Sequence, residues 1–291
     1  MASAHGASMN RPEVQPFFHE PSSTWTYVVH DGRAAAIVDP VLDFDVHSGR
    51  TGTGSAAVVA AFVGDRGLKL EWILETHAHA DHLTAAPFLK QALGGRVAIG
   101  RGIGKVQATF KELLNLEDDF AIDGRQFDYL FADDESFGIG SLEGRVLATP
   151  GHTNDSVTYL VGDAAFVGDS LFMPDGGTAR CDFPGGDAQV LYRSIQRLYA
   201  LPVGTRVFVC HDYAPGGREH RFETTIAAQR GGNIHAHDGI SEEAFVELRT
   251  RRDATLAVPE LLYPSVQVNV RAGHLPPEEA NGRRYLKLPV S

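Results

Sequence analysis

Cysteine is scarce: only Cys181 and Cys210 occur in 291 residues. No disulfide framework can hold such a chain, and a reducing compartment suits it. Basic residues are in deficit too, with 26 Lys and Arg against 37 Asp and Glu, a formal charge of −11. That balance argues against nucleic acid as a partner, because phosphates require clustered cations. Long apolar runs are missing. No stretch approaches the ~18 residues of a bilayer crossing, and the opening MASAHGASMNRPEVQP has no apolar core of an export signal. No membrane partner is expected, and the expected location is cytoplasmic. There is no Ser/Gly-rich linker, repeat or low-complexity block either.

What is present is mixed α/β. TWTYVVHD, a turn at Asp31-Gly32 and AAAIVDP read as a hairpin. Residues 55–63 read as a helix and Leu70–Thr76 as a buried strand. LTAAPFLKQALGG reads as a helix with a Gly-Gly stop, RVAIG as a strand and IGKVQATFKELLNL as an amphipathic helix. Short strands follow from Phe127 to Leu171, among them VTYLVGD and AAFVGDSLF. Residues 187–201 place Val190, Leu191, Ile195, Leu198 and Leu201 on one helical face, and RVFVCHD reads as a strand. A further helix is expected near Ser241, with Glu242 and Glu243 in its first turn. The expected organisation is a catalytic domain over residues 15–230 and a C-terminal extension, 231–291, packed on it. The apolar run LLYPSVQVNV in that extension calls for a partner surface: the site itself, or a second copy in a homodimer.

Thirteen histidines are the unusual count, and they cluster. Thr76-His77-Ala78-His79-Ala80-Asp81-His82 puts three histidines and a carboxylate into six positions at a strand end. Residues i and i+2 of a strand share a face, so His77 and His79 point together, and a helix start just after can turn Asp81 and His82 back toward them. Three other apolar strands deliver a ligand type at their ends: VLATPGH with His152, AAFVGD with Asp169 and RVFVCH with His211.

The HxHxDH run, Gly151-His152-Thr153, Gly168-Asp169 and His211 resemble, in order and interval, the metallo-β-lactamase superfamily over about residues 20–215. The resemblance implies an αββα sandwich of two mixed sheets flanked by helices, with a metal site at the sheet edge. Fold alone does not name a reaction on this scaffold. THAHADHLTAAPFLK, GRGIGKVQATF, GDSLF, the run 176–183 with Arg180-x-Asp182-Phe183, and CHDY followed by PGG look like the persulfide dioxygenases, in particular the bacterial branch once described as β-lactamase-like hydrolases. In that family one Fe(II) is held by two histidines and a carboxylate, carried over here to His77, His152 and Asp169, which would also be the catalytic centre. Such a facial set leaves positions open for substrate and O2. The implied reaction oxidises glutathione persulfide with O2 and water to sulfite and glutathione.

The alternative is a glyoxalase II-like thioester hydrolase with two Zn. It would use His77, His79 and His152 at one metal, Asp81, His82 and His211 at the other, and Asp169 between them. All seven residues are present, so the inventory leaves both open. On the iron reading His79, Asp81, His82 and His211 orient ligands or bind water and substrate. A metal-binding module without turnover would use the same ligands.

Arg180, Tyr213 and Arg218 follow the ligand motifs and are candidates for the two glutathione carboxylates, with an internal Arg180–Asp182 pair as the plainer reading of the first and a solvated charge as that of Arg218. Cys210 reads as a buried small hydrophobe. Cys181, in a polar loop, is mainly structural on this reading, with sulfane-sulfur acceptance the sharper alternative. His235 and His237 read as a solvated loop.

Overall fold

The computed structural model describes residues 11–290. Residues 1–10, most of the opening segment that has no apolar export-signal core, lie outside the described residues. Two six-stranded sheets form the centre. In the first, Glu13–His19, Thr24–His30 and Ala34–Val38 run antiparallel, and Lys69–Leu74, Arg96–Gly100 and Tyr129–Phe131 then join in parallel. In the second, Ser136–Ile139, Leu142–Ala148, Val157–Val161 and Ala164–Phe166 are antiparallel neighbours, Arg206–Phe208 adds in parallel and Glu223–Thr225 closes the edge. A small sheet of Arg50–Gly52, Val41–Asp45 and Leu83–Thr84 sits beside them.

Strand alternation builds the layers. Tyr27, Val29, Ala36 and Leu74 face one way, into an apolar core shared with Val146, Tyr159, Phe166 and Phe208 of the second sheet. Val28, Ile37 and Ile73 face the other way, onto helices. The helices are α1 (Gly54–Asp65), α2 (Ala86–Leu93), α3 (Ile103–Leu113), α4 (Ala188–Tyr199), α5 (Ile226–Gly232), α6 (Glu242–Asp253) and α7 (Leu262–Asn269). Val59, Leu89, Ile103, Phe110 and Val266 cover the first sheet. Leu191, Ile195, Leu198, Ile226 and Phe245 join the core of the second. The result is the expected αββα sandwich.

Local signals hold where they rest on backbone chemistry. Asp187 caps α4 by accepting from the N–H groups of Gln189 and Val190, and Ser241 caps α6 through Ala244. The apolar run 261–270 folds as α7 and its continuation, against Leu83–Thr84, while α6 packs on α4. Three expectations are corrected. The strand before the histidines ends at Leu74, so residues 75–82 form an irregular loop. That loop leads into Leu83–Thr84, and α2 starts only at Ala86, so no helix start turns Asp81 and His82. AAFVGDSLF is a strand only over Ala164–Phe166. Gly168 takes φ of 52°, where a Cβ would lie 2.7 Å from the Thr76 hydroxyl, and the chain turns there so that Asp169 points inward. Among the described residues no helix is long and apolar enough to cross a membrane.

Candidate metal centre

Ends of strands from both sheets meet at one edge of the sandwich. His77, His79, His82, His152, Asp169 and His211 are all buried there. His77 Nε2 lies 3.9 Å and His152 Nε2 3.5 Å from the same oxygen, Asp169 Oδ2. The other Asp169 oxygen faces His211 Nε2 at 3.4 Å, and His211 Nε2 is also 3.3 Å from Asp81 Oδ2. His77, His152 and Asp169 thus form one group whose ligand atoms converge, and His79, Asp81, His82 and His211 form a second, while Cys210 converges with Asp39 and His79 and with Asp169 and His211. His79 belongs to the second, not to the set with His77 and His152 that the two-Zn arrangement would require.

Hydrogen bonds on the far side of each ring fix its tautomer. The Thr76 hydroxyl donates to Asp39 Oδ2 at 2.9 Å, so it accepts from His77 Nδ1–H at 3.0 Å. His152 Nδ1–H donates to the Arg180 carbonyl at 2.7 Å. His211 Nδ1 faces the Ser23 carbonyl and the Thr24 hydroxyl, and His79 Nε2–H donates to Asp39 Oδ1 at 3.0 Å. The remaining ring atoms carry lone pairs and point into the centre. His77 Nε2, His79 Nδ1, His82 Nε2, His211 Nε2 and Asp169 Oδ1 are buried atoms without a hydrogen-bond partner. Five orphaned acceptors in one small volume are costly unless a cation satisfies them. The residues therefore fit a bound metal.

Charge points the same way. Burial, and then its neighbour His79, pushes His77 well below the usual imidazole range, and burial with His82 does the same to His79. Both rings are neutral, as metal ligation demands. Burial raises Asp169 and pushes Asp39 up to about 6. Burial and then Asp39 raise Glu75, whose Oε2 stands 3.7 Å from His79 Nε2 and whose Oε1 accepts from the Thr84 hydroxyl. Burial also opposes charge on His211, but Asp81 and Asp169 outweigh it and raise that ring. Among the described residues only histidines lie within ion-pair distance of Asp39, Glu75, Asp81 and Asp169. No described Arg or Lys neutralises them.

The other predicted residues take varied positions. Arg180 is a shielded internal group: its guanidinium grips Asp182 at 2.6 and 2.7 Å, donates to the Ala257 carbonyl and lies over Phe183. Arg218 is likewise not a solvated charge, since it holds both Asp175 and Asp212. Tyr213 is 60% exposed, stacks on His211 with ring centroids 5.8 Å apart and touches Phe172 edge-on. Both cysteines are buried and free. Burial pushes the Cys181 thiol up to about 12, which removes the thiolate that sulfur chemistry needs. The solvated-loop reading of His235 is overturned: it is 4% exposed, and its Nδ1 accepts from Thr178 N–H at 3.0 Å. His237 alone lies at the surface.

Sequence reasoning missed the supports. Asp39 ends the strand in AAAIVDP and obeys the same rule, an apolar strand delivering a carboxylate, that singled out Asp169. Asp155 accepts from Ala78 N–H at 2.8 Å. Asn269 of α7 donates to the carbonyls of His79 and His82 and accepts from Thr84 N–H. No short-range signal marks a residue 190 positions away.

A sequence profile described as the metallo-β-lactamase superfamily matches residues 19–211. The chain is 50% identical to a probable metallo-hydrolase of Burkholderia pseudomallei over 95% of this chain and 98% of that protein. It is 48% identical to glyoxylase B2 of Dictyostelium discoideum over 97 and 98%. It spans 66% of the length of a β-lactamase hydrolase-like protein of Xylella fastidiosa, at 50% identity over 98% of this chain. The human mitochondrial persulfide dioxygenase ETHE1 is 29% identical over 89% of this chain and 88% of its own. Among solved structures, ETHE1 from Myxococcus xanthus superposes with a TM-score of 0.71 at 30% identity, covering 90% of this chain and 100% of that one.

Proposed function

The chain belongs to the metallo-β-lactamase superfamily, and from that premise we propose that it is a persulfide dioxygenase, oxidising glutathione persulfide with O2 and water to sulfite and glutathione. The observation that carries this reading is the convergence of the ligand atoms of His77, His152 and Asp169 as a group without His79. Two imidazoles and one carboxylate suit non-haem Fe(II) with open positions. The ETHE1 relatives support the reaction class. Iron, when bound, supplies a site where O2 and a sulfur ligand meet.

The protein's own residues do the rest. His77, His152 and Asp169 hold the iron. Asp81, His82 and His211 flank it and accept or donate hydrogen bonds to water and substrate. Tyr213, open to solvent beside His211, is the side chain that meets the thiol carrier. Arg180 and Arg218, already bound to internal carboxylates, shape the walls, and a substrate carboxylate reaches them only in competition with Asp182, Asp175 or Asp212. Residues 15–230 form the catalytic unit in this reading, with 231–291 an extension packed on it and the whole chain acting in the cytoplasm.

A second reading, the two-Zn thioester hydrolase, is favoured by the orphaned atoms of His79, His82 and His211 and by the more similar relatives named glyoxylase and metallo-hydrolase. Metal analysis of anaerobically purified protein, with oxygen uptake on glutathione persulfide, separates the two. One iron per chain with uptake is expected. Two zincs without uptake sink the dioxygenase, and rapid hydrolysis of S-lactoylglutathione installs the alternative.

A further inference from the structure

His152 is held by a carbonyl, and the peptide unit that owns that carbonyl is itself held at its other end. The Arg180 carbonyl accepts from His152 Nδ1–H at 2.7 Å. The N–H of the same peptide, that of Cys181, donates to Asp253 Oδ2 at 2.8 Å. Asp253 is the last residue of α6, 4% exposed, and its other oxygen is bound by the Arg249 guanidinium one turn earlier. Arg249, 1% exposed, also donates to the Thr178 carbonyl at 3.0 Å. A buried ion pair thus grips the loop 178–181 beside the ring of His152.

We propose that Asp253 is a positioning residue for His152, acting through the single Arg180–Cys181 peptide. The physical basis is polarisation along a hydrogen-bonded chain. A carboxylate on the N–H of an amide increases the negative charge on its carbonyl, and that carbonyl then binds an imidazole N–H more strongly. A more strongly held Nδ1–H makes Nε2 a better donor to a metal and keeps the ring aimed. Asp253 lies outside the matched superfamily segment 19–211. The chain's C-terminal helices therefore tune a ligand carried by the central sheets. The inference rests on His152 being a metal ligand, which the iron and zinc readings share.

The test replaces the ion pair as a unit, since one partner left alone would be an unpaired buried charge. Arg249→Met with Asp253→Asn removes both charges but leaves an amide oxygen for Cys181 N–H; Arg249→Met with Asp253→Leu removes the acceptor as well. In the full chain, iron retention is measured against a competing chelator. The His152 Nδ1–H resonance is followed in the zinc-loaded, diamagnetic protein. Iron affinity is expected to fall about 3-fold in the first pair and about 10-fold in the second, and the resonance to move upfield in the same order. Glu242→Gln, which breaks an exposed α4–α6 ion pair with Arg193, changes neither. Wild-type resonance and affinity in folded variants overturn the proposal. If the leucine pair does not fold, the asparagine pair alone decides by the same two readings. His152→Ala separates the premise: metal retained there defeats the ligand assignment, whereas metal lost there with unchanged Asp253 variants defeats only the relay.

Discussion

The centre is supported from two sides by opposite electrostatics. Around the histidines of the loop 75–82 stand Asp39, Glu75 and Asp155, all buried, and among the described residues no Arg or Lys pairs with Asp39 or Glu75. Behind His152 stands a buried carboxylate already matched by Arg249. The first support is a set of carboxylates whose charge burial opposes and a nearby cation would favour. The second is balanced and complete without one. Metal binding should therefore stabilise and order the two sides unequally, the loop 75–82 most and the α6 side least.

The largest effect expected from breaking this contrast is on the metal itself. His152→Ala should strip iron, whereas His79→Ala should keep most of it, as measured by metal content after gel filtration. Equal loss from both would place His79 among the iron ligands and merge the two groups. Next comes Asp39→Ala. It deprives Thr76 N–H, the Thr76 hydroxyl and His79 Nε2–H of their acceptor, and should cost about 4 kcal/mol in urea unfolding. A loss below about 1 kcal/mol would mean that the anionic support carries no structural weight.

Asn269→Ala loosens the same loop from the C-terminal side. Three hydrogen bonds vanish and the buried Thr84 N–H is stranded, so about 3 kcal/mol should be lost, and amide exchange should rise in 79–84 but not in α6. Uniform exchange would deny Asn269 a local role.

The smallest effect tests the balanced side by pH. Burial, then Arg249, lowers His235 to about 4, whereas the unfolded ring titrates near 6.5. The unfolded chain thus binds the proton first, so this stability is fully present above pH 6.5 and is lost as pH falls to about 4. It amounts to about 2 kcal/mol. His235→Gln keeps an acceptor for Thr178 N–H and should flatten that slope; identical slopes for variant and wild type would remove His235 from the acid response.

How much of this was legible beforehand follows the range of the signal. HxHxDH, Gly151-His152, Gly168-Asp169 and His211 were legible because each couples a strand end to a ligand within a few residues. The helix start at Ser241 was equally local. The irregular loop 75–82 was not, because strand alternation predicts direction only while the ladder continues, and here it stops at Leu74. Burial of His235 was hidden for a related reason: it arises from packing against Thr178 and Arg249, which no window of sequence brings together.

The sequence by itself singled out five imidazoles and two carboxylates as ligand types, since strand ends, glycines and spacing are written locally, and its family resemblance implied the αββα sandwich that gathers them at one edge. Only the tertiary structure decided how those groups divide, with His77 and His152 around one oxygen of Asp169 and His79 grouped with Asp81, His82 and His211. It also decided that Arg218 is held internally by Asp175 and Asp212. Those outcomes depend on which buried partner lies against each polar atom, and partners such as Asp39 beside His79 and Asp175 beside Arg218 come from segments that only folding brings together.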